Sequence, residues 1–172
     1  MIAKPWLWLG AVLVIAVGVV AFLSLGRSGS GTASQELRAW VGRTDLGQVV
    51  GTLEGDGEAV RKALSAHAGM STVHTVCAAM ATEAQTANDD LPAPDVRLTQ
   101  LLARAYGLAY DAAESCYRAP SPASALLATF ASDRARAGAL FGRALRRVRS
   151  LSGLEVPTTT TTVPDLTGTS LF

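Results

Sequence analysis

Thiols and soft metal ligands are concentrated in one short stretch, HAGMSTVHTVC at residues 67–77. Met70, His74 and Cys77 stand at helical spacing and His67 lies one heptad before His74, a set from which a copper or zinc site can be drawn. The second cysteine, Cys116, offers a competing chemistry, because two thiols in an oxidising compartment join. A disulfide would consume the thiolate that a metal needs, and Met70 follows a glycine that can precede the helix. The histidines therefore read better as part-exposed residues on a helix flank than as ligands, and no cofactor is expected.

Catalytic signatures are missing from the sequence: it contains no GxSxG, no HExxH, no phosphate-cradling glycine loop and no paired-cysteine motif. Asp111 with Glu114, and Glu114 with Arg118, are ordinary helix-surface spacings, so the expectation is a protein that is not an enzyme. Tyr106, Tyr110 and Tyr117 fall within about 40° of one another on a helix. They form either a ligand-contacting stripe or, as tyrosine often does, the border of a core.

Charge is unevenly spread. Residues 35–132 hold seven basic and eleven acidic side chains, whereas residues 133–151 hold six arginines and one aspartate. Arg136, Arg143, Arg146 and Arg147 share the polar face of the last helix, where they can meet anionic lipid headgroups, a wall polymer or a partner protein. A solvated face that complements acidic neighbours is the plainer alternative. No aromatic interleaving or reader motif accompanies the arginines, so nucleic acid becomes a partner only if this part of the chain faces the cytoplasm.

The elements that position these residues are helical. Apolar residues make up 49% of the 172-residue chain, aromatics only 6%, and alanine is abundant, a composition that suits close-packed helices. DVRLTQLLARAYGLAYDAAESC at 95–116 sets Leu98, Leu101, Leu102, Ala105, Ala109, Ala112 and Cys116 on one face, opened by Asp95 after Pro92 and Pro94. Before it, STVHTVCAAMATEAQTA from Ser71 groups Val73, Val76, Cys77, Met80 and Ala84, with Ser71 as the expected cap and ANDDLPAP as the turn of a helical hairpin. Cys77 and Cys116 then lie on facing apolar stripes and are expected to pair. A tight hairpin would leave them ~15 Å apart along the axis, an offset that the long connection has to absorb. A long third helix is expected from Ser121, with Pro122 in its first position, to Gly153, and Arg134 interrupts its apolar stripe. Upstream, residues 35–65 suggest one or two further helices, with a short hairpin around EGDGE as the alternative.

Residues 5–26 carry no charge between Lys4 and Arg27. At 1.5 Å per residue they make about 33 Å of helix, enough for the ~30 Å hydrocarbon layer, with Trp6 and Trp8 at the rim. A cleaved signal peptide, with Gly31 and Ala33 at its cleavage site, is the competing reading, but its apolar core should be shorter. The expectation is an uncleaved anchor over 1–26 with a cytoplasmic amino end, a flexible linker over 27–34, a three- to four-helix bundle over 35–153 outside the membrane, and a disordered Thr/Pro-rich tail over 154–172.

Within that tail, VPDLTGTSL resembles the opening of a PASTA module, a small repeat attached to bacterial penicillin-binding proteins and serine/threonine kinases and associated with peptidoglycan. Val163, Pro164, Asp165, Leu166, Gly168 and Ser170 match its first strand, turn and helix start. The resemblance covers about ten residues, so the expectation is a truncated module that cannot work as one. LPAPDVRLTQLLARAYGLAYDAAESC is in turn similar to a recurring segment of uncharacterised bacterial envelope proteins and carries no activity over. The functional expectation is a single-pass, all-α interaction or structural protein of the bacterial cell envelope, partnered by the membrane and by an envelope protein or anionic polymer. An inward-facing regulator that uses the arginine-rich helix, and a copper- or zinc-binding bundle, are the alternatives.

Overall fold

The computed structural model describes residues 32–158. The apolar run at 5–26, most of the linker, and the tail from residue 159 with its PASTA-like segment lie outside the described residues. Within them the chain is all-α, with five helices: α1 (Ala33–Thr44), α2 (Leu46–Ser65), α3 (Met70–Asp89), α4 (Val96–Tyr117) and α5 (Ala125–Ser152). Two helices fill the region where one or two were expected, so the unit holds one helix more than the expected three- to four-helix bundle. Among the described residues no helix is long and apolar enough to cross a membrane.

Successive helices from α2 to α5 pack side by side, while α2 and α5 meet only along a thin seam. The core joins Val50, Leu53 and Val60 to Val73, Met80, Leu98, Leu102, Phe130, Phe141 and Val148, with small alanines of α4 and α5 between them. Each leucine taken fully from water contributes roughly 2 kcal/mol. Helix α1 seals one end by burying Leu37, Trp40 and Val41. Arg38 Nε donates to the Ser152 carbonyl at 2.9 Å and Trp40 Nε1 donates to the Asp90 carbonyl at 3.4 Å, which tie α1 to the ends of α5 and α3.

The EGDGE hairpin does not form, because α2 runs unbroken through Gly51, Gly55 and Gly57, all three buried. A helical glycine costs about 1 kcal/mol relative to alanine, and burial of Leu46, Val50, Leu53 and Val60 on the same helix offsets it. Gly57 and a fourth glycine of α2, Gly47, also admit close approach: the Pro157 carbonyl occupies the place of a side chain at Gly47, and the Arg134 stem lies against Gly57. The break between α1 and α2 falls at Asp45, which adopts a left-handed φ of 46°, a region that aspartate enters more readily than most residues. At the far end of α2 the Ala68 amide bonds the Ala63 carbonyl and the His67 amide bonds the Leu64 carbonyl. This is the Schellman pattern, with His67 at φ 55° where glycine is usual.

Two helix starts differ from expectation. Helix α3 begins at Met70 behind Gly69, whose carbonyl accepts from Thr72 and Val73, so Ser71 lies inside the first turn and does not cap it. Helix α5 begins at Ala125 with Ser124 as its cap, and the Ser121 carbonyl instead accepts from the Ser124 amide in a separate turn. Asp95 caps α4 as expected, its Oδ1 accepting from the Leu98 amide at 2.7 Å. Gly153 ends α5 in the left-handed region with φ 68°. The residues that follow turn back on the bundle: Val156 packs against the core and Glu155 pairs with Arg149 at 2.6 Å. The first residues of the expected disordered tail, Glu155 and Val156, therefore contact the folded unit.

The Cys77–Cys116 disulfide forms, with Cα atoms 5.9 Å apart and both residues fully buried. Cys77 lies about 18 Å before the end of α3 and Cys116 about 30 Å after the start of α4. The segment Asp90–Asp95 carries the chain past the end of α3 and takes up the difference. Buried Ala93 anchors that segment, its amide donating to Thr99 Oγ1 at 3.0 Å.

Reducing the disulfide, or replacing both cysteines by alanine, is expected to lower stability by about 4 kcal/mol, since the bond spans 39 residues. Urea unfolding of oxidised and reduced protein measures it. Coincident midpoints would contradict a constraining role for the bond.

Candidate functional site

The soft-ligand stretch is divided among different elements. His67 is exposed in the turn after α2, so the heptad relation to His74 is not a helical one. His74 Nε2 donates to the Ala119 carbonyl at 3.0 Å and its ring tilts against Tyr117 at 5.5 Å, holding the exit of α4. Met70 packs against the core and Cys77 is spent in the disulfide. Among the described residues no group of three histidine, cysteine or acidic side chains is placed to hold a metal.

The tyrosines share an angular position but not an environment. Tyr106 is 3% exposed and meets Phe141 at 5.4 Å, whereas Tyr110 and Tyr117 are 38% and 51% exposed. Burial, with Asp90 and Glu83 nearby, pushes the Tyr106 phenol above its ordinary range. Tyr110 edges a shallow hollow of about 220 Å³ between α3 and α4, alongside Gln85, Asn88 and Asp111.

The arginine face separates into two parts. Arg147 is turned inward onto Asp95, making bonds of 3.1 Å to Oδ1 and 2.8 Å to Oδ2, so one carboxylate both caps α4 and holds α5. The guanidinium beside it, with the Leu98 amide, holds the Asp95 carboxyl below the usual carboxylate range. Arg136, Arg143 and Arg146 point to solvent. Arg136 is bridged to Asp133 at 2.9 Å on an exposed surface, where such a pair is worth little. The surface open to an anionic partner is thus Arg136, Arg143 and Arg146, without Arg147.

Two features were not drawn from the sequence. Along the seam between α2 and α5 runs an open groove of about 370 Å³, floored by Leu53, Met80, Ala131, Ala135 and Phe141, with Glu54 and Arg134 among its lining residues. Arg134 makes no hydrogen bond or ion pair among the described residues, and its stem lies across Gly57. The arginine within the apolar stripe was visible in the sequence, but its glycine partner on a distant helix was not. On another part of α2, burial and the Glu83 carboxylate raise the Asp56 carboxyl from 3.8 to about 6.

Three outcomes follow from these contacts. Arg147→Ala is expected to cost about 1–2 kcal/mol by uncoupling the Asp95 link, and Arg143→Ala less than about 0.5 kcal/mol; chemical denaturation of the two variants separates them, and equal effects would contradict the division of the face. The folded-state pKa of Asp56 is raised to about 6, so the native protein holds an extra proton and the contribution of this group to stability falls as pH rises from about 4 through about 6. Asp56→Asn should therefore raise stability at pH 7 by on the order of 1 kcal/mol, since the carboxyl still meets water, and flatten the melting temperature between pH 4 and 6. Asp95 acts in the opposite sense: its depressed pKa gives stability present above the unfolded value and lost as pH falls below about 4, a loss that Asp95→Asn removes in acid titrations monitored by circular dichroism. No protein-family model, curated protein or solved structure matches this chain.

Proposed function

We propose that the chain is a membrane-anchored interaction or structural protein of the bacterial cell envelope, with its helical unit on the extracytoplasmic side and no catalytic role. The observation that carries this reading is the buried Cys77–Cys116 bond, which spans two neighbouring helices of the core. Structural disulfides persist in oxidising compartments and are rare where thiols are kept reduced. The uncharged run at 5–26 supplies the anchor, and its length supports a span that is retained.

On this reading the contact surface for a partner is the exposed trio Arg136, Arg143 and Arg146, which suits an anionic wall or lipid polymer or an acidic protein face. Nucleic acid is not a partner in this topology. Fusing a reporter after Phe172 tests the placement: alkaline phosphatase activity in intact cells is expected. A fusion active only as a cytoplasmic reporter would contradict the reading and favour the inward-facing regulator. Replacing the three arginines by glutamine should weaken retention on isolated envelopes severalfold at low salt, with the difference shrinking as salt rises.

A further inference from the structure

We propose that the groove between α2 and α5 is the docking site of this chain's own C-terminal segment, with Val163 and Leu166 seated among its small residues and the Asp165 carboxylate on Arg134. Three observations lead to it, and none depends on which side of the membrane the domain occupies.

The first is the groove itself. Its floor is apolar, and alanine and glycine at 131, 135, 137 and 138 leave room that larger residues would fill. On the α2 side, Gly57 leaves the room in which the Arg134 side chain lies. An aliphatic side chain fits such a space, and covering it removes apolar surface from water.

The second is charge. Arg134 projects over this apolar surface with no hydrogen bond or ion pair of its own among the described residues, while the nearby Glu58 carboxylate is engaged by Arg61. In residues 158–172 a single side chain is charged, Asp165, and it stands between Val163 and Leu166. One carboxylate flanked by aliphatic residues complements the Arg134 guanidinium, which shares the lining of the groove with the exposed Glu54 carboxylate. Partial desolvation strengthens such a charge-assisted pair.

The third is reach. The described tail ends on α2: Val156 packs against the core and the Pro157 carbonyl covers Gly47. Gly47 and Glu54 lie within about 20° on α2 and about 10 Å apart along it, with Gly57 about 15 Å from Gly47. Five extended threonines, 158–162, span up to about 17 Å, which brings Val163 to the level of Gly57 and Arg134. So short a tether gives an effective concentration in the millimolar range, so that a contact too weak to hold a free peptide can close in cis.

Hydrogen exchange with mass spectrometry on the full chain in detergent micelles tests the docking, read on peptides that cover residues 159–172. In the wild type their amides should exchange at least about tenfold more slowly than those of a synthetic peptide of the same sequence. Arg134→Glu and Asp165→Arg should each bring the tail to the free-peptide rate, and the double variant should restore protection. Asp165→Arg lies outside the bundle, so it remains decisive if Arg134→Glu fails to fold. A wild-type tail that exchanges like the free peptide, or a charge swap that restores nothing, would overturn the proposal. So would protection that increases with protein concentration, which would assign the groove to a second copy.

Discussion

The register between α3 and α4 is the constraint on which the rest of the described fold depends. Cys77 and Cys116 can meet only if α4 starts well beyond the end of α3, and Asp90–Asp95 supplies that overshoot. The same segment presents the Asp90 carbonyl to Trp40 of α1 and delivers Asp95 to its two partners. Once this register is set, the alanine-rich face of α4 is placed for α5, and small side chains there let the two helices pack closely.

Polar contacts then hold the ends of helices whose middles are held by apolar packing. Asp95 and Arg147 join the start of α4 to the last turns of α5. Arg38 joins α1 to the close of α5, and His74 holds the exit of α4. Each of these groups satisfies backbone or carboxylate atoms at a helix terminus, where unpaired groups would otherwise accumulate. The polar residues that sequence reading offers for metal or partner binding are in several cases structural ones: Arg147, His74 and Cys77 are all engaged within the domain.

Much of this architecture was legible in the sequence, for local reasons. The cap at Asp95 follows two prolines, Gly153 ends a long periodic stripe, and the two cysteines sit on the apolar faces of adjacent helices. Where the structure departs from local sequence signals, distant contacts decide. Ser121-Pro122 and Ser124 are both sound helix starts, and a turn over 121–124 decides between them. The glycines of α2 look like breakers until the helix is seen to bury them. Arg147 shares a helical face with Arg143, yet its partner lies 52 residues away. The groove depends likewise on α2 and α5, which are distant in sequence, and periodicity within one helix cannot show it.

The cross-linked core requires the two thiols to be joined in the living cell. Trapping cells in acid, alkylating without reduction and weighing the intact protein reads their state directly. The expected result is a mass without added alkyl groups, and two groups gained only after reduction. Two groups gained without reduction would contradict both the cross-linked core and the compartment inferred from it.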